Sequence, residues 1–109
     1  RLAEVEVELM ALEVMQLRVL SQAYDAGAGP GPLSSMLKIK GSEILQRISE
    51  LILETQGSNA LRCELDTVPP GRWIQSPEAA AYLNLRKVSI YGGSNEIQRG
   101  ILAKHVLGL

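Results

Sequence analysis

The sequence predicts an all-α protein, a helical bundle, and three observations carry that reading. Apolar residues recur three and four positions apart over most of the chain. Glycine and proline clusters, "GAGPGP" at 27–32 and "PPG" at 69–71, cut that pattern into helix-length pieces. No segment reads as a strand of consequence, so helices must pack on helices.

Residues 1–26 read as the first helix. Leu2, Val5, Leu9 and Leu12 form an apolar stripe that Val19 continues. Val7, Met10, Val14 and Leu17 form a second row, so this helix is expected to pack against more than one neighbour. Glu4, Glu6, Glu8 and Glu13 crowd its first half, where the helix dipole favours negative charge.

Residues 33–56 read as the second helix. Its apolar face is Leu33, Met36, Leu37, Ile44, Ile48, Leu51 and Ile52. Lys38, Lys40, Glu43, Arg47 and Glu50 read as solvent or interface charges. Gly41 interrupts the pattern at a cost of about 1 kcal/mol relative to alanine. Such a glycine either admits a close neighbour or is simply tolerated in a long helix.

Residues 57–75 read as a connection, because Gly57, Pro69, Pro70 and Gly71 forbid a long regular element. Trp73 is expected to plug this loop onto the bundle. Ser76 followed by Pro77 is an N-cap with proline at the first helical position. The third helix is expected from about Pro77 to Ile90. The fourth is expected from about Ser94 to Leu107, stopped by Gly108.

The chain has 109 residues, enough for one domain or part of one. A chain of this size buries roughly two thirds of its unfolded surface. With 46% hydrophobic residues it is not a disordered tail. Eleven basic and 12 acidic residues give a formal charge of −1, which offers no electrostatic case for nucleic acid or an anionic membrane. No run of about 18 apolar residues exists, so no membrane span is expected.

The single cysteine, Cys63, excludes an internal disulfide and a Cys-rich zinc site. That suits a reducing, cytoplasmic setting. Cys63 has no nearby histidine to activate it as a nucleophile. His105 has no second histidine at helical spacing and reads as structural or surface, so no metal site is expected. The opening "RLAEVEVELMALEV" is already in helical rhythm and is neither a signal nor a transit peptide. The expectation is that part of the domain lies before Arg1.

The most informative stretch is "SIYGGSNEIQRGILAKHVLGL", residues 89–109. Gly92 and Gly93 free the backbone from the usual limits on φ. Ser94 is a good N-cap, and the helix it opens directs its first N–H groups back at the turn. Such a terminus donates to an anion or a carbonyl oxygen. Glu96 lies in the first turn, where it complements the dipole. Tyr91 is either a lid or a packing ring. From the residues alone, a purely structural turn stands beside a ligand site.

"IYGGSNEIQRGILAKHVLGL" resembles the C-terminal signature of the acyl-CoA dehydrogenases, flavoenzymes that desaturate acyl-CoA thioesters. "SSMLKIKGSEILQRISELILE" and "YLNLRKVSIYGG" resemble the helix and the approach that precede it. The resemblance covers essentially the whole chain, as the family's C-terminal helical bundle without its first helix. It implies FAD as cofactor, an acyl-CoA substrate and an electron-transfer flavoprotein as electron acceptor. It also implies a dimer or tetramer, of like or unlike subunits, built through the bundle. The wide apolar faces of a bundle lacking one helix favour such association.

The same resemblance sets expectations residue by residue. Ser94 and Glu96 stand where the family often has Thr and Gln touching FAD. Serine keeps the hydroxyl, but a glutamate carboxylate only accepts. Gly93 would allow close approach of the thioester. A second FAD contact is expected from the neighbouring subunit's arm at Gly57 and Ser58, with only Gly57 matching the family pattern. Glu54, in place of a glutamine, would repel a diphosphate.

The departure that matters most is Gly92, which stands where many members carry the glutamate that removes the α-proton. Glycine cannot take a proton, so no catalytic residue is expected within these 109 residues. Two explanations stay open. The base lies on an earlier helix of the same domain, or the polypeptide is a non-catalytic subunit or assembly module that keeps the fold. Arg86, Lys87 and Arg99 are expected either on a phosphate or neighbouring subunit, or in ordinary helix-face pairs.

Overall fold

In the computed structural model, residues 1–26, 31–61 and 77–109 are described. Cys63, Trp73, the Ser76 cap and most of the two glycine–proline connections lie outside them. The elements in order are α1 (Leu2–Ala26), α2 (Ser34–Thr55), a 3-10 turn (Gly57–Leu61), α3 (Pro77–Leu85) with a 3-10 extension (Arg86–Ser89), and α4 (Asn95–Leu102). A π turn (Ala103–Leu107) ends the chain's regular structure. The all-α expectation therefore holds among the described residues, and no helix there is long and apolar enough to cross a membrane.

Two helix ends differ from the sequence reading. The third α-helix stops at Leu85 and tightens to 3-10 geometry before Ile90. The last turn of a helix often tightens this way, because it satisfies carbonyls that lack an i+4 partner. The fourth α-helix stops at Leu102 and widens into the π turn. Gly108 then closes it in the left-handed region, at φ 71°, and the Leu109 N–H donates to the Ala103 carbonyl at 3.0 Å. That is the glycine stop the sequence called for.

The spine of the molecule is α2. Helices α1, α3 and α4 all pack on it. Arg1 meets Glu54 and Arg47 meets Glu4 and Glu8, so α1 runs antiparallel to α2. Half of the glutamate crowd on α1 thus answers one arginine as well as the helix dipole. On the other side, Arg86 meets Ser49 and Gln46, whereas Asn95 meets Ser42 and Lys38. The chain from α3 into α4 therefore also runs back along α2.

The core follows from these faces. Val5 and Val19 of α1, Ile39 and Ile44 of α2, Ala79 of α3 and Val88 are buried. Each buried Val or Ile contributes about 1.5–3 kcal/mol. Along the α2 seam, Ser35, Ser42 and Ser49 recur every seventh residue and are all buried. Small side chains there let α3 and α4 approach closely. Ser42 and Ser49 hydroxyls donate to the carbonyls of Ile39 and Gln46, at 2.8 and 2.7 Å, so neither is left unsatisfied.

The two apolar rows of α1 have different fates. The first buries Val5 and Val19 but leaves Leu2 and Leu9 exposed. The second row, Val7, Met10, Val14 and Leu17, is exposed throughout. A groove of about 570 Å³ runs between this part of α1 and the start of α2, lined by Met10, Met15, Met36 and Val14 among others.

Candidate functional site

The "YGGSNE" segment is built by a left-handed turn and a capped helix. Gly92 and Gly93 adopt φ 71° and 87°, conformations that other residues reach only at a cost. Ser94 is extended at φ −61° and ψ 155°, and its hydroxyl accepts from the Ile97 N–H at 3.4 Å. Its carbonyl accepts from the Gln98 N–H at 2.9 Å and so starts α4. Gln98 then reaches back, donating Nε2 to the Gly92 carbonyl at 3.2 Å. A Cβ on Gly93 would stand 2.6 Å from that amide nitrogen, whereas one on Gly92 meets nothing within 4 Å.

The side chains of this turn sort into two directions. Asn95 is buried and hydrogen-bonds to Ser42, accepting in turn from Lys38. Ser94 is half-buried, and Glu96, Tyr91 and Gly92 are exposed. The Glu96 carboxyl is held below its ordinary range by its own backbone N–H and by the Ser94 hydroxyl, with smaller help from the positive charges of Arg99 and Lys38. Ser94 and Glu96 are thus one polar pair at the surface, and the carboxylate is the charged, accepting form. Where Tyr91 and Gly92 face α2, a groove of about 360 Å³ is lined by these two residues with Leu37, Lys38, Gly41 and Leu45. Gly41 has nothing within 4 Å of where its Cβ would stand, so no close neighbour accounts for it.

The second predicted arm lies elsewhere. Gly57 takes φ 55° and opens the short 3-10 turn that carries Ser58, and both are exposed. Ser42, the contact of Asn95, is separated from the end of α2 at Thr55 by 13 residues, a rise of about 20 Å. One chain therefore does not bring Gly57 and Ser58 to the Ser94–Glu96 pair. Glu54 is not a bare charge. Its carboxylate accepts from Arg1 Nη1 at 2.6 and 2.7 Å.

Of the cations singled out from sequence, Arg86 is spent inside the fold. It donates to the Tyr82 and Gln46 carbonyls and the Ser49 hydroxyl, and stacks 4.2 Å from the Tyr82 ring centre. Arg99 pairs with Glu43 at 3.0 Å on the surface. His105 is exposed in the π turn, and among the described residues no cluster of acidic, histidine and cysteine side chains is placed to hold a metal. Sequence reasoning missed Lys38, Asn95, Gln46 and Gln98. Asn95 gave no signal of its own, since an asparagine in a first helical turn faces solvent as readily as it turns inward to partners such as Ser42 and Lys38.

Comparison with known proteins agrees with the elements described. The chain matches the family described as acyl-CoA dehydrogenase, C-terminal domain, over residues 1–107. It is similar to the acyl-CoA dehydrogenase IpdE1 of Mycobacterium tuberculosis (strain ATCC 25618 / H37Rv), at 39% identity over 64 residues. That match covers 59% of this chain and 15% of the relative, so the chain spans a small part of that protein's length. No solved structure matches. With the family match running almost from end to end over an all-α chain, the protein belongs to the acyl-CoA dehydrogenase family, in its C-terminal domain.

Proposed function

We propose that this chain supplies one wall of the flavin and thioester site of an FAD-dependent acyl-CoA dehydrogenase. The observation that carries the reading is the placement of Ser94 and Glu96 side by side at the α4 N-terminus, the cap half-buried and the carboxylate exposed, while Asn95 between them turns inward. The donor set fits an isoalloxazine edge. The ring offers an N–H that the Glu96 carboxylate accepts, and carbonyl oxygens to which a helix N-terminus donates, joined by the Ser94 hydroxyl once it turns from Glu96 to the ring. When bound, FAD supplies the acceptor for the β-hydride of the thioester.

In this reading Ser94 and Glu96 hold and orient the ring. Gly93, without a side chain, lets the thioester approach the backbone. Gly57 and Ser58, some 20 Å along α2, serve a flavin held mainly by a neighbouring subunit, through backbone N–H groups. Arg1 neutralises Glu54 and so removes much of the repulsion a diphosphate would meet there. The α-proton goes to a carboxylate outside these residues, because Gly92 offers none. Partners in this reading are acyl-CoA, an electron-transfer flavoprotein and further subunits covering the exposed row of α1.

Gly92 itself favours a second reading, a helical assembly subunit that has lost the chemistry. The full-length protein separates the two. It is expected to purify with flavin absorbance bands that bleach when acyl-CoA is added without oxygen. A colourless protein that FAD does not reconstitute would overturn the enzyme reading. The 109-residue chain alone is expected to bind FAD weakly, and tight stoichiometric binding by calorimetry would contradict the division of contacts between subunits.

A further inference from the structure

One ammonium group touches both flanks of the Gly92–Gly93 turn. Lys38 Nζ donates to the Ser89 carbonyl at 3.2 Å, three residues before the glycines, and to Asn95 Oδ1 at 2.7 Å, two residues after them. The acceptors belong to different elements, the 3-10 end of α3 and the first turn of α4. The donor belongs to a third, α2. Asn95 is anchored independently to α2, because its Nδ2 donates to Ser42 Oγ at 3.0 Å. Gln98 closes the turn from the α4 side by its bond to the Gly92 carbonyl.

Two consecutive glycines in left-handed conformations have more conformational freedom to lose than any other pair. Left alone, such a turn samples many orientations of the helix it opens. A ligand that needs one orientation would then bind with its affinity reduced by the fraction of time that orientation is populated. The half-buried Lys38 contacts act against this. Hydrogen bonds from a charged donor are among the stronger ones, and the polar atoms they join are already shielded from water.

From this geometry we infer that Lys38, with Asn95, is a positioning residue that presets the Gly92–Gly93 turn and so fixes where Ser94 and Glu96 stand. The inference about the turn stands on the contacts alone. Its extension to cofactor affinity rests on the reading that Ser94 and Glu96 face a flavin. Lys38 itself is not a catalytic residue, since it acts through Asn95 and the Ser89 carbonyl.

The test uses the full-length protein with bound flavin and three variants, Lys38→Met, Asn95→Ala and Asn95→Asp. Aspartate keeps the oxygen that Lys38 uses and loses the Nδ2 donor, for which the Ser42 hydroxyl can substitute by turning from the Ile39 carbonyl to donate to the new carboxylate, so it is the conservative variant. The first readout is amide hydrogen exchange over residues 89–98, against residues 1–20 as an internal reference. Lys38→Met and Asn95→Ala are expected to speed exchange at Tyr91, Ile97 and Gln98 by about tenfold or more, with the reference unchanged. Asn95→Asp is expected to stay within about twofold of the parent. The second readout is the visible circular dichroism of the flavin, which a merely structural role would not move; it is expected to change in the first two variants and to be kept in the third.

Exchange over residues 89–98 that stays at the parent rate in Lys38→Met overturns the inference. So does Asn95→Asp behaving like Asn95→Ala, because the acceptor oxygen would then be irrelevant. Faster exchange with an unchanged flavin spectrum supports the preset turn and overturns its link to the cofactor, which separates the two claims. Should Lys38→Met not fold, the contrast between the two Asn95 variants decides the question.

Discussion

Arg86 Nη2 lies 2.9 Å from Ser49 Oγ and 3.0 Å from the Gln46 carbonyl, in the seam where α3 meets α2. Its Nε holds the Tyr82 carbonyl one turn back, and its plane covers the Tyr82 ring. A planar guanidinium serves all these contacts together; an ammonium on a flexible stem does not. Arg86→Met is therefore expected to lower stability by about 2 kcal/mol, and Arg86→Lys by about half as much. Urea unfolding of the variants measures both. A loss near zero for Arg86→Met would mean that the seam is held by apolar contact alone.

Gly41→Ala is expected to stabilise the protein by about 1 kcal/mol. Mid-helix glycine costs roughly that much relative to alanine, and the added methyl meets nothing. A raised urea midpoint is the expected result. A lowered one would reveal a neighbour against the groove of Tyr91 and Gly92 in the assembled protein.

The two turn glycines are expected to differ. Gly92→Ala bears only the cost of a left-handed conformation, about 1 kcal/mol. Gly93→Ala bears the same cost and also displaces the Gln98 amide from the Gly92 carbonyl, for a total of about 2 kcal/mol. Paired unfolding curves give the order. Adding Gln98→Ala to each background should narrow the gap, because the displaced bond is then absent from both.

Glu96 sets a pH dependence. Its carboxyl lies below the ordinary carboxylate range in the folded chain, so the unfolded chain binds a proton at higher pH than the folded one. The stabilisation is present in full above the unfolded pKa, near 4.5, and disappears as pH falls through the folded value. Glu96→Gln is expected to be less stable than the parent at neutral pH and equal to it in strong acid. Unfolding midpoints between pH 2 and 7 check the convergence. Curves that stay parallel over that range would assign the effect to packing.

Much of this fold was legible because its signals are local. The Ser94 cap, the Gly108 stop and the helix of residues 34–55 each follow from a residue type at a position that demands it. The tightening after Leu85 and the widening after Leu102 were not legible, since helix ends respond to what packs on them. The site divided in the same way. Ser94, Glu96 and the paired glycines stand in one contiguous string. Lys38 reads only as a solvent or interface charge, because its two acceptors lie more than 50 residues away and the spacing within α2 carries no trace of them. Arg86 stays open in the sequence for the same reason, its commitment to α2 running through Gln46 and Ser49.

The placement of α2 as the shared spine has a consequence for how the molecule comes apart. α1 is tied to the rest chiefly through α2, by ion pairs from Arg1 and Arg47 and by an apolar contact that includes Val5 and Val19. Each outer helix meets the rest chiefly across one face of α2, so loosening α2 releases all of them at once. A disturbance inside α2 is therefore felt at both ends of the molecule together, by the rod on one flank and by the glycine turn on the other.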